Sequence, residues 1–224
     1  MKNNESKIEK LEIKLDKTYK IRKWKAKEKK EFLNIIKTED NLDRVQDVLV
    51  YNCIDGDAAF NTSEFKYVIS KLRQYSLGNE IELEFYCDDC KSKFLKTIEL
   101  DKIIIPIFSN KNEIKTKNHN IKIGSIKNPN FYKQIINENP EYADEYDFYL
   151  RISDIDSNDT FTLEEIVEFF DNMDIDEFDE IFKQWEDIKF KVNDIADIEC
   201  PTCEKSTKYN FDEIPGFFPG SWFK

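Results

Sequence analysis

The chain has 224 residues, 40% of them hydrophobic and 14% aromatic, enough apolar surface to form a core and to exclude global disorder. Its formal charge of −12 is unevenly spread: residues 1–37 hold 13 Lys/Arg against 6 Asp/Glu, and residues 138–199 hold 22 Asp/Glu against 4 Lys/Arg. The acidic half makes a general nucleic-acid role unfavourable, because phosphate binding needs clustered positive charge.

Residues 8–24 place Ile8, Leu11, Ile13 and Leu15 ahead of Tyr19, Ile21 and Trp24, a pattern for two short strands joined near Asp16–Thr18. A helix is expected over about 26–37, with Phe32, Leu33, Ile35 and Ile36 as its apolar side, and a second over about 41–53. In "FNTSEFKYVISKLRQYSLGNE", Thr62 or Ser63 is a helix cap, Phe65, Val68, Ile69 and Leu72 form the buried stripe, and Gly78 closes the end. A hairpin over 81–86 and 93–99 follows, then the strand-like "KIIIPIF" and "HNIKIGSI". Pro129 opens a helical region to about 150, further helices fall at about 162–172 and 176–188, and "IKFKVNDIADIE" reads as a returning strand. The order predicts an α+β fold. Its parts are an N-terminal hairpin and helical region (1–80), a zinc-ribbon-like core with an aromatic tail (81–108 and 189–224), and an inserted, mainly helical acidic region (109–188).

The cysteines carry the sharpest signal. "EFYCDDCKSKF" and "IADIECPTCEKSTKYNF" each read as strand, C-x-x-C, strand, so Cys87 and Cys90 form one knuckle and Cys200 and Cys203 another. Two knuckles that meet give a four-thiolate tetrahedral zinc site; with all four positions filled by protein, such a site is structural rather than catalytic. The 109 residues between Cys90 and Cys200 far exceed the roughly 15–20 of a simple ribbon, so the intervening chain must start and finish at one place. Disulfides are the rival in an oxidising compartment. A redox C-x-x-C is another, though it leaves a matching second pair unexplained. Cys53, beside Val45, Val48 and Leu49, reads as a buried core thiol, and His119 sits in a polar loop without an evident partner.

"DIDSNDTFTLEE" is laid out like a calcium loop, with Asp154, Asp156, Asn158, Thr160 and Glu165 at ligand positions, but Asp159 stands where the bend wants glycine. The same letters form a capping box from Thr162 to Glu165. The ending "FDEIPGFFPGSWFK" offers Phe217, Phe218, Trp222 and Phe223 either as core cover or as a partner-docking tail. No phosphate loop or nucleophile elbow is present, so no residue is a catalytic candidate. No apolar run reaches the roughly 18–20 residues that cross a bilayer. The polar start "MKNNESKIEKLEIKLDK" is not a secretory signal, and a cytoplasmic setting is expected.

The order of basic hairpin, "DRVQDVLVYNCID", "FKYVISKLRQYSLGNEIELEFYCDDC", helical insertion and "IECPTCEKS" before "FFPGSWF" resembles the baseplate hub and hub-assembly proteins of T4-like contractile-tailed bacteriophages. The sharpest pieces are the helix "YVISKLRQYSLG" running into Cys87 and Cys90, and the second knuckle before the double-Phe ending. The resemblance implies a non-enzymatic virion assembly role, synthesis in the host cytoplasm with a possible place in the tail baseplate, and other tail or hub proteins as partners. The residues also leave open a zinc-ribbon nucleic-acid-binding or transcription accessory protein, contacting through Arg22, Lys23 and Trp24, and a calcium-binding adaptor.

Overall fold

A computed structural model describes residues 10–38, 45 and 48–210. Period-two alternation builds its first element: strands β1 (Lys10–Lys14) and β2 (Thr18–Arg22) pair antiparallel with Ile13 opposite Tyr19, and Ile13, Tyr19 and Ile21 turn inward. Asp16 tightens the connection by accepting from the Lys17 amide at 2.7 Å. Helix α1 (Ala26–Thr38) buries Phe32 and Ile35. Much of the helix expected over about 41–53 lies outside the described residues. Val45, Val48 and Leu49 are helical and buried, and a 3-10 turn spans Tyr51–Cys53.

Helix α2 (Thr62–Leu77) starts one residue earlier than the expected caps: Asn61, not Thr62 or Ser63, is its N-cap. Asn61 Oδ1 accepts from the Glu64 amide at 2.9 Å, and Glu64 Oε2 accepts from the Asn61 amide at 3.0 Å, a reciprocal box. An amide side chain has a further group to use, and Asn61 Nδ2 donates to Asp147 at 3.0 Å. Gly78, at φ +101°, ends the helix in a conformation that glycine adopts at little cost.

Strands β3 (Glu80–Tyr86) and β4 (Lys93–Glu99) form the first knuckle hairpin, with Ile81 opposite Ile98 and Phe85 opposite Phe94. "KIIIPIF" is not one strand: a helical turn, α3 (Leu100–Ile103), precedes β5 (Ile105–Ile107). Asn79 causes the turn, accepting from the Leu100 amide through its carbonyl and from the Asp101 amide through its side chain, which lets Leu100 and Ile103 both point inward. Strand β5 pairs with β9 (Lys191–Asn193), so the outgoing and returning chain are laid side by side. Between them, β6 (Glu113–Lys115), β7 (Asn120–Ile123) and β8 (Ile152–Ile155) make a three-stranded antiparallel sheet. The region opened by Pro129 divides into α4 (Pro129–Glu138), a 3-10 turn and α5 (Ala143–Arg151), because Pro140 lacks an amide and disfavours helical backbone at Asn139. Helices α6 (Leu163–Asp171) and α7 (Ile175–Ile188) follow, and β10 (Ile195–Glu199) and β11 (Ser206–Asn210) form the second knuckle hairpin.

The fold is α+β, with helices beside short antiparallel sheets. One core joins Ile21, Phe32, Ile69, Leu72, Leu83 and, from β10, Ile198. A second joins Ile114, Ile121, Phe148, Phe170, Ile181 and Trp185. Among the described residues, no helix is long and apolar enough to cross a membrane.

Candidate metal centre

The two knuckles share one backbone design. In the first, Cys87 N–H donates to Ser92 O (2.9 Å) and Lys91 N–H to Cys87 O (2.8 Å); in the second, Cys200 N–H donates to Lys205 O (2.9 Å) and Glu204 N–H to Cys200 O (2.9 Å). Each loop closes on a residue in the left-handed region, Lys91 at φ 60° and Glu204 at φ 59°. Neither is glycine, and a Cβ there costs about 1 kcal/mol or more. Lys91→Gly and Glu204→Gly are therefore expected to hold or raise stability by about 0.5–1 kcal/mol each, read as a melting temperature at or above that of the parent. Lys91→Val, branched at Cβ in the same position, is expected to lower it.

The hairpins bring all four sulfurs together: the Sγ atoms of Cys87, Cys90, Cys200 and Cys203 lie within 4.8 Å of one another. Cys87 and Cys203 are 3.6 Å apart, and Cys90 and Cys200 are 3.7 Å apart. These are not disulfides; the thiols are free. Four sulfurs each about 2.3 Å from a central ion stand about 3.8 Å apart in a tetrahedron, so the observed spacing is compatible with a metal ion. The surroundings also prepare thiolates. Ser92 Oγ lies 3.0 Å from Cys90 Sγ and 3.5 Å from Cys200 Sγ. Its hydrogen bond, together with the amides of Thr202 and Cys203, brings Cys200 down to about 6, and Ser92 lowers Cys90 in the same way. At Cys203 the Lys205 amide favours the thiolate, but burial and the three neighbouring sulfurs prevail and push it up to about 12. A set that cannot hold four negative charges alone is one that a cation completes. Across the knuckles, Lys205 pairs with Asp89, Tyr209 Oη donates to Tyr86 O at 2.7 Å, and the Phe85 ring packs edge-on against Tyr209. Cys53 is far from this set in character: it is buried in the first core, and burial raises its thiol to about 11.

The calcium-loop residues are placed differently. Asp156 and Ser157 form a two-residue hairpin turn, both at positive φ (53° and 71°), closed by Ile155 and Asn158. Asp154 accepts from the Ser157 amide and faces Lys122; Asn158 accepts from Thr160; Glu165 accepts from the Thr162 amide at 2.8 Å and so completes the capping box of α6. Among the described residues, the only His/Cys/Asp/Glu group with converging ligand atoms is the cysteine set. Thr162→Ala should cost about 1 kcal/mol in thermal unfolding with or without calcium, the usual loss for an N-cap. A loss that appears only when calcium is present would signal ligation instead.

His119 has a partner that its sequence setting did not reveal. Nδ1 lies 2.7 Å from Asp156 Oδ2, and its ring packs edge-on against Phe169 at 4.9 Å. The antiparallel pairing of β7 with β8 brings together positions 37 residues apart, a distance that no local pattern registers. The larger unforeseen feature joins the cores. Arg151 on α5 donates to Asp147 (2.8 Å) and to Glu64 on α2 (2.6 Å), and Tyr132 Oη donates to Asp147 at 2.9 Å. All four side chains are buried. The sequence offered one hint, since Asp147 and Arg151 stand four apart on a helix; Glu64 is 87 residues from Arg151. The tail residues Phe217, Phe218, Trp222 and Phe223 lie outside the described residues.

Fold and site together define an α+β protein whose chain ends its long excursion at a closed cysteine cluster able to hold a metal ion. The chain belongs to the T4 bacteriophage base plate protein family, whose model matches residues 5–219. No curated protein and no solved structure matches it. Membership makes this a phage baseplate protein. It also suggests a structural, non-enzymatic role, a location in the virion tail and other baseplate proteins as neighbours.

Proposed function

We propose that this chain is a non-enzymatic structural or assembly protein of the baseplate hub, with one zinc ion held by Cys87, Cys90, Cys200 and Cys203. The observation that carries the reading is the meeting of four sulfurs from two hairpins, 109 residues apart in sequence, all within 4.8 Å of one another. Four thiolates select a soft tetrahedral ion, and a cage without an open position leaves nowhere for water or substrate to react. Zinc then fastens the 81–108 and 189–224 segments of the core to each other at the base of the 109–188 insertion, and holds a shaped body for neighbouring proteins to dock on. The aromatic ending, with Phe217, Phe218, Trp222 and Phe223, is the proposed docking tail.

Elemental analysis of the purified protein is expected to return one zinc per chain, and a ratio well below one counts against the site. Cross-linking mass spectrometry on infected-cell lysates and on purified virions tests the placement. Links to central hub proteins are expected. Links to peripheral baseplate proteins alone would overturn the hub reading, and comparing lysate with virion separates a resident component from an assembly factor.

A further inference from the structure

Ser92 touches three of the four cysteines. Its carbonyl accepts from the Cys87 amide, its own amide supports the Cys90 thiolate, and its hydroxyl lies 3.0 Å from Cys90 Sγ and 3.5 Å from Cys200 Sγ. The second knuckle shows which of these contacts the turn itself requires. There Lys205 holds the matching place, and its carbonyl accepts from the Cys200 amide in the same way, but its side chain turns outward to Asp89. The backbone bond therefore belongs to the knuckle turn, and the Ser92 hydroxyl is an addition on one edge of the cage. That hydroxyl spans the two hairpins, since Cys90 follows β3 and Cys200 follows β10.

The same edge holds the most accessible cysteine. Cys90 is exposed and Cys203 half-buried, whereas Cys87 and Cys200 are only 1% and 2% exposed. Beside Cys87, the Tyr209 ring packs on Phe85 and its hydroxyl bonds to Tyr86 O, which closes that side. Four protein thiolates leave a tetrahedral ion no open position, so exchange requires one sulfur to let go as an incoming ligand takes its place. A thiol or chelator arriving from solvent meets Cys90 first. A hydroxyl that donates to a ligating thiolate holds that sulfur in place and dampens its reactivity. Outer partners of this kind typically change metal affinity about 10–100-fold.

We propose that Cys90 is the ligand that lets go when the cage gains or loses its metal, and that Ser92 is the positioning residue that keeps it in place. This route of exchange rests on the zinc reading, to which it adds the point of entry and the residue that guards it.

Limited alkylation of the zinc-loaded full chain with iodoacetamide, read by peptide mapping, tests the first half. The Cys90 sulfur forms the new carbon–sulfur bond and iodide leaves, so the Cys90 peptide should be labelled ahead of the other three, with zinc released in step. Zinc transfer to pyridylazo-resorcinol tests the second half. Ser92→Ala should speed the transfer about tenfold, the lower end of such outer-partner effects, and Ser92→Thr, which keeps the hydroxyl, should restore the parent rate. Cobalt in place of zinc supplies a readout that folding alone does not move. Without the hydroxyl the sulfur holds its electrons less tightly, so the thiolate-to-cobalt charge-transfer band should move to longer wavelength in Ser92→Ala and return in Ser92→Thr. Should Ser92→Ala fail to fold, the order of alkylation in the parent still decides. Labelling of Cys203 or of either buried cysteine as fast as Cys90, or an unchanged transfer rate in Ser92→Ala, overturns this route and leaves the zinc reading intact. A chain that takes up neither metal overturns both.

Discussion

Cys203→Ser is expected to leave a chain that no longer retains zinc and no longer unfolds as one cooperative body. Structural zinc contributes about 10–16 kcal/mol in small peptides, comparable with the roughly 5–15 kcal/mol stability of a whole domain. The loss here is concentrated at the base of the excursion. Without the metal, the close sulfur pairs, Cys87 with Cys203 and Cys90 with Cys200, become crowded thiols with no ion between them. The second hairpin then keeps Ile198 in the first core, the Phe85–Tyr209 ring contact, the Lys205–Asp89 pair and the Tyr209–Tyr86 hydrogen bond. Exposed ion pairs are worth at most about 1 kcal/mol, so what remains is far less than the metal contributes. Cys90→Ser should behave alike, and a strong chelator should reproduce either variant in the parent protein. Cys53→Ser is the control: its thiol lies in the first core away from the cage, so a modest loss with zinc retained is expected. Circular dichroism melting with metal analysis on the same samples decides. A soluble Cys90→Ser/Cys203→Ser double variant that melts like the parent without metal would remove zinc from the architecture.

What could be read in advance divides along a physical line. Hairpins and helices were legible because their side chains alternate or recur on a face: Ile13, Tyr19 and Ile21 face inward as their period predicts, and so do Val68, Ile69 and Leu72. The meeting of Cys87 and Cys90 with Cys200 and Cys203 was legible despite the distance, because a repeated C-x-x-C implies a common centre. The Arg151 network has no repeat to announce it. Glu64 fits a capping box, Asp147 and Arg151 fit a helical ion pair, and each local account is complete without the other. Asn61 shows the same blindness at one residue's scale: its advantage over Thr62 and Ser63 as the cap includes a bond to Asp147, 86 residues away. Capping chemistry was visible, but the tertiary partner that chose between neighbours was not. His119 and Asp156 repeat the lesson, since only the β7–β8 register brings them together.

The Arg151 network carries the second large effect, and its size depends on pH. Arg151→Met removes the guanidinium shared by Glu64 and Asp147 and leaves two buried carboxylates facing each other. Breaking a buried pair in this way costs about 3–5 kcal/mol, enough to unfold a marginal domain. Glu64 sets the pH dependence. Burial raises it from 4.5 to about 7, helped by Asp147 and Asp16, against the pull of Arg151 and the Asn61 amide. Arg151, drawn by Asp147 and Glu64 despite its own burial, stays charged throughout. One guanidinium therefore does not offset the burial of Glu64 beside two other carboxylates. A carboxyl raised in the folded state adds stability that is fully present below its ordinary value and lost as pH climbs through the raised one. For Glu64 the window runs from about 4.5 to about 7 and corresponds to about 3 kcal/mol. Glu64→Gln keeps a hydrogen-bonding group in the same space but cannot ionise. The difference in unfolding free energy between parent and Glu64→Gln should therefore shift in favour of the variant as pH rises through this window. Denaturant melts at several pH values measure it directly, and parallel profiles would show that Glu64 titrates as an ordinary carboxylate. Because the network ties α2 of the first core to α5 of the second, the pH-sensitive contact is also the one that sets how firmly the two cores are joined. Amide exchange along α5 should accordingly quicken in the parent between pH 5 and 8 by more than intrinsic chemistry predicts, and Glu64→Gln should abolish that excess.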